Sequence, residues 1–521
     1  MVMKPSFAMS IAAGLLATCL ATPAALAADL KIGIAGSPTS MDPQFYVIGT
    51  NSAMARNIFD GLVNQDDRQQ LTPALATEWN AVDPKTWRFH LREGVKFHDG
   101  SDLDAQDVVA SIARVKLASE NSPSSFMPYV KGITSVTAID PMTVEFKTDV
   151  AMPLLPNNLS RIAILPSEEG ETASSVLNTG KGVIGTGPFK FVSWIPDSTI
   201  ELTRNDAYWG TKPDWDNVTF KVFADSSARV ASLLSGDVDM IEQVPPANIG
   251  TLEKNGSTDI VTNSSNRVMY LHMDQDRDVS PFAKGPNGEN PLKNVRVRHG
   301  LSLAINRQAI IDRIMDKQGV PAGQLVPDGY TGYVESLKPD PYDPKKAKEL
   351  FAEAGYPNGF DLTFHASNDR YPNDSLVAQA IGQMFTRAGI DTKIVTLPKS
   401  VYFSRASKLE FSFIMGGAAV ETGEASGVLG PLLETYSANS GRGNRGRYSS
   451  KAFDEALQRG RSLLDAKERD LALQDAMKIA MDDMGVIPVF FLAHTWGLKD
   501  GLTYVGRTDG YTLAANVHPA K

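Results

Sequence analysis

Apolar positions recur along this chain at two spacings, and the alternation between them predicts a mixed α/β protein. Trp87–Leu91 (WRFHL) places Trp87, Phe89 and Leu91 on one face, the period-two pattern of a half-buried strand, with the Asp99-Gly100 turn downstream. Thr143–Lys147 repeats the pattern with Val144 and Phe146. Leu30–Ala35 (LKIGIA) predicts a first strand that stops at Gly36 and Pro38. Helical spacing follows capping residues. Asp343-Pro344 precedes Lys345–Ala354, which carries Leu350, Phe351 and Ala354 on one face before Gly355. Val297, Leu301, Ala304 and Ile305 form another stripe, and Asn306 is placed to cap the next helix, Arg307–Met315. Towards the end, Arg469–Asp483 reads as a helix. Val486–Leu492 reads as a buried strand whose Pro488 predicts an edge position or a strand start. No fixed-period repeat is present, which argues against a solenoid or propeller.

Two segments break the periodicity and read as loops of functional length: Gly416–Gly430, after the apolar strand Phe411–Met415, and Ser437–Ser450. A loop leaving a buried strand is where an α/β protein commonly places a ligand.

Lys4, the apolar run Ile11–Leu20 and Ala25-Leu26-Ala27 predict a secretory leader over 1–27, cleaved before Ala28. The run is about half the length that a membrane-spanning helix needs. A lipid-anchored reading of Cys19 is disfavoured by the bulk of Thr18 before it, and cleavage would remove Cys19. The exported protein would act outside the cytoplasm, without ATP or NAD. Cys19 is the only cysteine, so no disulfide and no thiol nucleophile is expected after cleavage. The net charge of −9 argues against nucleic acid and anionic membrane as partners.

Catalytic signatures are missing: no G-x-S-x-G elbow, no H-E-x-x-H and no Walker loop. The seven histidines do not pair at metal-ligand spacing, so no metal site is expected. Gly185-Thr186-Gly187-Pro188 lacks the rest of a phosphate loop and reads as a tight turn into strand Phe189–Trp194.

Longer segments carry a resemblance. Leu71–Trp79 (LTPALATEW), Trp87–Asp107, Gly185–Trp194 (GTGPFKFVSW), Arg204–Gly210 (RNDAYWG) and Leu233–Pro246 are similar, in order and spacing, to bacterial extracellular solute-binding proteins of family 5. So are Asn294–Ile310, Tyr342–Phe360 and Gly485–Phe491. The resemblance covers about 30–515. It implies a two-lobed periplasmic-binding-protein fold, α/β, with an extra domain inserted in the first lobe and a ligand cleft between the lobes. Carried onto this chain, the first lobe is 28–60, 186–266 and 493–521. The extra domain is 61–185 and the second lobe 267–492. The implied job is capture of a small solute by hinge closure and delivery to an ABC importer permease, by a monomer, with no cofactor and no chemistry. The rival is a secreted hydrolase with an unrecognised site.

In the peptide-binding members that the chain resembles, the loop after the Phe411–Met415 strand carries Trp-x-x-Asp, whose aspartate pairs with the peptide's amino group. Here Gly417 stands at the tryptophan position and Val420-Glu421 near the aspartate. Glu421 or Glu424 is the candidate amine partner; the alternative is that both only solvate the loop. Arg442, Arg445 and Arg447 are candidates for a carboxylate or phosphate. Asn444-Arg445 and Tyr448 match the family pattern, so part of that loop is expected to be structural. By position, Asp42–Tyr46 should lie at the cleft. Arg267 and Tyr270, with Asn266, mark one crossing between lobes, and Trp496, with His494, the return. Tyr46 and Trp496 are candidates to stack on a ligand. Short peptides come first as ligand, then opine-like or phosphorylated sugar conjugates, and nickel complexes last.

Overall fold

The computed structural model describes Met1 and residues 28–120, 122, 125–438 and 440–520; the body of the expected leader, residues 2–27, lies outside them. The alternating segments are strands: Asp29–Ile34, Thr86–Leu91 and Thr143–Thr148. In the second of these Trp87, Phe89 and Leu91 are buried while Arg88 and His90 are exposed. Asp343 caps the helix Pro344–Glu353 by accepting the Lys346 N–H at 2.8 Å, and Gly355 leaves it at φ +96°. Asn306 caps Arg307–Arg313 by accepting the Ala309 N–H at 2.9 Å. This helix stops short of Met315 because Asp316 and Lys317, with positive φ, turn the chain away. No helix among the described residues is long and apolar enough to cross a membrane.

A sheet of twelve strands runs through both lobes. Its central pair, Thr258–Met273 and Ile487–Lys499, is antiparallel and crosses from one lobe to the other. Val486–Leu492 therefore lies mid-sheet rather than at an edge. Pro488 is tolerated as the second residue of its strand, at a register shift opposite Met269 and Tyr270, and its carbonyl accepts Arg307 Nη2 at 2.8 Å. On the first-lobe side, Asp29–Ile34 pairs in parallel with Asn217–Val222 and Met240–Glu242. On the second-lobe side, Phe413–Ala419 joins Thr258–Met273 to Asp361–Ser367. Successive residues of the crossing strand enter opposite cores. Met269, Leu271 and Met273 pack with Phe364 and Ile487, whereas Val268 and Tyr270 pack with Leu429 and Phe453. Burial on both faces accounts for the unbroken run Val268–Met273 at the end of this strand, whose earlier residues are mostly polar.

A separate four-stranded antiparallel sheet, built from Ala76–Asp83, Thr86–Leu91, Thr143–Thr148 and Ile133–Asp140, has its own core around Leu62, Phe89, Val108 and Phe146. Leu165, Leu177 and Val183 instead join the first-lobe core of Leu30, Phe189, Phe220 and Trp496.

At the crossing, Ser264 pairs with Ala493 and Val268 with Phe491, so Ser265, Asn266 and Arg267 stand opposite Leu492 alone. Such a bulge bends the strand and re-aims its side chains.

The loop expected over Gly416–Gly430 is shorter. Residues through Ala419 continue the strand, and Ser426–Leu433 is helical. Gly416 and Gly417 suit a strand here because side chains fill the space beside them: a Cβ on Gly416 would stand 2.7 Å from the Tyr270 ring, and one on Gly417 2.8 Å from that of Tyr371.

Candidate ligand-binding site

The bulge opens on a cleft of about 610 Å³. Its floor is the two crossing segments, Ser265–Arg267 and Leu492–Trp496. Val47–Gly49 and Gln243–Pro246 wall it from the first lobe, Arg370 and Glu421 from the second, and Arg161 from the extra domain.

The acids of the cleft are engaged. Glu421 Oε2 lies 2.9 Å from Arg161 Nη2, joining the second lobe to the extra domain. The same nitrogen donates to Tyr511 Oη at 2.9 Å, while Arg161 Nε and Nη1 are buried and donate to no protein acceptor. Asp509 accepts two bonds from Arg507, at 3.0 and 2.7 Å. Burial would push the Asp509 carboxyl up, but the Arg507 guanidinium outweighs it and holds the group below the usual carboxylate range. Glu242 is buried, which raises its pKa, and it accepts the Ala35 N–H at 2.9 Å and Thr512 Oγ1 at 2.8 Å. Burial pushes His494 down to about 4, so it is neutral at pH 7.

Two cations have no such partner. Among the described residues, neither the Arg267 nor the Arg370 guanidinium meets an acid; Arg370 stacks over Tyr371, 5.1 Å from the ring centre. Burial, reinforced by Arg370, disfavours the charged form of Arg267 and lowers its pKa. The cleft therefore offers a ligand two guanidinium groups that have no ion-pair partner among the described residues, with Glu421 acting on Arg267 only from beyond contact. A carboxylate accepts from such a fork through two parallel hydrogen bonds.

Of the residues singled out from sequence, Arg267, Glu421 and Trp496 line the cleft, together with Asn266 and His494. Trp496 is 1% exposed and its Nε1 donates to Thr512 Oγ1, so it serves the first-lobe core as well as the cleft. The others lie elsewhere. Tyr46 is half-buried beside the lining residues Val47 and Ile48. Asp42 is buried against Arg114, accepting at 2.9 and 2.8 Å, and ties the first lobe to the extra domain instead of facing the cleft. Tyr270 is buried against Gly416 and His272. Glu424 is 1% exposed, bonded to Arg469 at 2.9 Å and to Ser426 at 2.6 Å. Asn444 is a buried clamp whose amide donates to the Glu434 and Tyr448 carbonyls. Arg442, Arg445 and Arg447 line a different pocket.

Arg161, Arg370, Asp509 and Tyr511 carried no motif and were missed. They reach the cleft from three separate stretches of chain, at 161, 370 and 509–511, so no spacing rule connects the three. Among the described residues, no group of three or more His, Cys, Asp or Glu converges as a metal site would require.

The model of the middle region of bacterial extracellular solute-binding proteins, family 5, matches residues 70–440. The dipeptide-binding protein of Escherichia coli K12 is 30% identical over 487 residues, 88% of each chain. The glutathione-binding protein GsiB of the same organism is 28% identical over 495 residues, 92% of each chain. Among solved structures, the periplasmic binding protein DppA of Helicobacter pylori, in complex with the peptide STSA, matches with a TM-score of 0.68 and 26% identity. That match covers 95% of this chain and 98% of that one. The two lobes, the cleft at their crossing and these matches lead to one conclusion: the chain belongs to the family 5 bacterial extracellular solute-binding proteins.

Proposed function

We propose that this protein is the periplasmic solute-capturing component of an ABC importer, and that its cleft takes a short peptide or amino-acid conjugate bearing a free carboxylate. The observation that carries the ligand class is the pair Arg267 and Arg370, both lining the cleft and neither paired with an acid. Arg267 stands on the crossing and Arg370 on the second lobe, with the first-lobe wall opposite. A ligand touching both walls gains contacts only when the lobes close, and that difference in affinity drives closure. The dipeptide and glutathione relatives agree with a carboxylate-bearing ligand. Glu421 is the amine partner if a ligand amine displaces Arg161 from it.

A second reading is favoured by that same engagement. With Glu421 held by Arg161 and Asp509 by Arg507, the cleft has more free cation than free acid. That balance suits an opine-like or phosphorylated sugar conjugate with two acidic groups.

A thermal-shift panel on protein unfolded and refolded to strip carried ligand separates the two. Ligand at about a hundred times its Kd adds about 2.7 kcal/mol, a shift of several degrees. Stabilisation by dipeptides to pentapeptides, lost in Arg267→Ala and Arg370→Ala, supports the first reading. Stabilisation only by dianionic conjugates selects the second. Turnover of the same peptides without stabilisation would overturn capture in favour of a hydrolase.

A further inference from the structure

The arginine loop that the sequence singled out lies far from the cleft. Its Gly446 carbonyl accepts the Gln275 N–H, and a Cβ on Gly446 would stand 2.5 Å from the Met273 carbonyl. The loop therefore sits at the Met273 end of the crossing strand. Arg267 is six residues away, about 20 Å at strand rise.

There Arg442, Arg445 and Arg447 line a pocket of about 310 Å³ with Ser407, Leu409 and Tyr436. No acid lines it, and none of the three arginines takes part in an ion pair among the described residues. The neighbouring acids are committed: Glu410 to Arg405 at 2.6 Å and Glu434 to Arg461 at 2.7 Å. Arg445 Nε and Arg447 Nη1 are buried without a protein acceptor.

The loop is held in place. Asn444 clamps it from inside through the Glu434 and Tyr448 carbonyls. Gly441, at φ +61°, packs so closely on the Glu434 carbonyl that a Cβ there would stand 2.1 Å from it. Arg447 itself is held at φ +54°, a conformation that costs a non-glycine residue energy and persists only where the surroundings impose it. Its guanidinium lies 3.5 Å from the ring centre of Tyr436, which is 51% exposed. Three cations are thus converged, unneutralised, on a concave surface with an aromatic wall.

We propose that this pocket is a second binding site, independent of the cleft, for a phosphate-class oxyanion. A single carboxylate fills one guanidinium fork. A tetrahedral dianion carries oxygens for several and matches the excess charge better. The pocket has room beyond one phosphate, and Leu409 and Tyr436 supply an apolar side for what the phosphate is attached to. A soluble phosphate ester and a lipid-headgroup phosphate share this chemistry.

Hydrogen exchange on the full chain, with and without inorganic phosphate, glycerol 3-phosphate or phosphatidylglycerol vesicles, tests the site. Phosphatidylcholine vesicles serve as the control. Expected is protection of residues 436–447 by at least one phosphate probe, weakened about tenfold or more in Arg442→Glu, which changes an exposed side chain. Protection is retained in Arg442→Lys and in Arg267→Ala. Protection by glycerol 3-phosphate identifies a soluble ester as the source. Protection by phosphatidylglycerol vesicles alone identifies the lipid. No protection by any phosphate probe overturns the proposal. So does protection confined to the cleft, or binding of an acidic polypeptide in place of every phosphate probe.

Discussion

Burial holds four of the seven histidines neutral: His98, His365 and His494 are pushed down to about 4 and His272 to about 3. His272 is the most enclosed, 1% exposed, with Arg445 adding to the effect of burial and Nε2 against the Leu432 carbonyl. An unfolded histidine titrates near 6.5. Between that value and about 3 the unfolded chain binds the proton and the folded chain does not. Stability from this group is therefore complete above pH 6.5 and is lost as pH falls through the window, by about 2 kcal/mol at pH 5. The buried carboxyls Asp60, Glu242 and Glu424 are raised and act in the opposite sense, so the comparison is made between variants. Expected is that His272→Gln loses about 2 kcal/mol less than wild type between about pH 7 and pH 5, read by urea unfolding.

Within the strand Phe413–Ala419, two adjacent glycines decide what stands beside the cleft. Tyr371 packs where a side chain on Gly417 would go, and its Oη both accepts the Gly417 N–H at 3.0 Å and donates to the Gly417 carbonyl at 3.2 Å. Tyr371, from another segment, thus fills the space beside the position where the resemblance led us to expect a tryptophan. Gly417→Trp should overpack the site and cost about 1–3 kcal/mol. Adding Tyr371→Ala should recover much of that loss, although Tyr371→Ala alone destabilises. Thermal midpoints of the four proteins check this; additive losses would show that the two side chains do not compete.

Among the polar contacts by which the molecule's units meet around the hinge, the Arg161–Glu421 pair is asymmetric. The arginine side chain is 3% exposed and the glutamate 43%. Removing the glutamate leaves a buried guanidinium with only the neutral Tyr511 and Tyr129 beside it, whereas removing the arginine leaves a carboxylate that water can solvate. Glu421→Ala should therefore cost about 2 kcal/mol more than Arg161→Met, read by thermal unfolding without ligand. Equal losses would show that the pair acts as an ordinary surface bridge.

Sequence by itself determined the elements and the family. Alternation marked the strands around Phe89 and Phe146, Asp343 and Asn306 announced their helices, and motifs spread from Leu71 to Phe491 carried the resemblance. These signals are local: a pleat, a cap or a run of residues is complete within a short stretch. Only the tertiary structure decided which charges face the ligand. Arg267, Arg370, Glu421 and Asp509 meet because a bulged crossing bends three units around one cleft. The same packing put Glu424 in an interior ion pair and sent Arg442, Arg445 and Arg447 to the far end of the lobe. A loop's composition says that it carries charge; the strand it leaves, and which end of that strand, decides where the charge points.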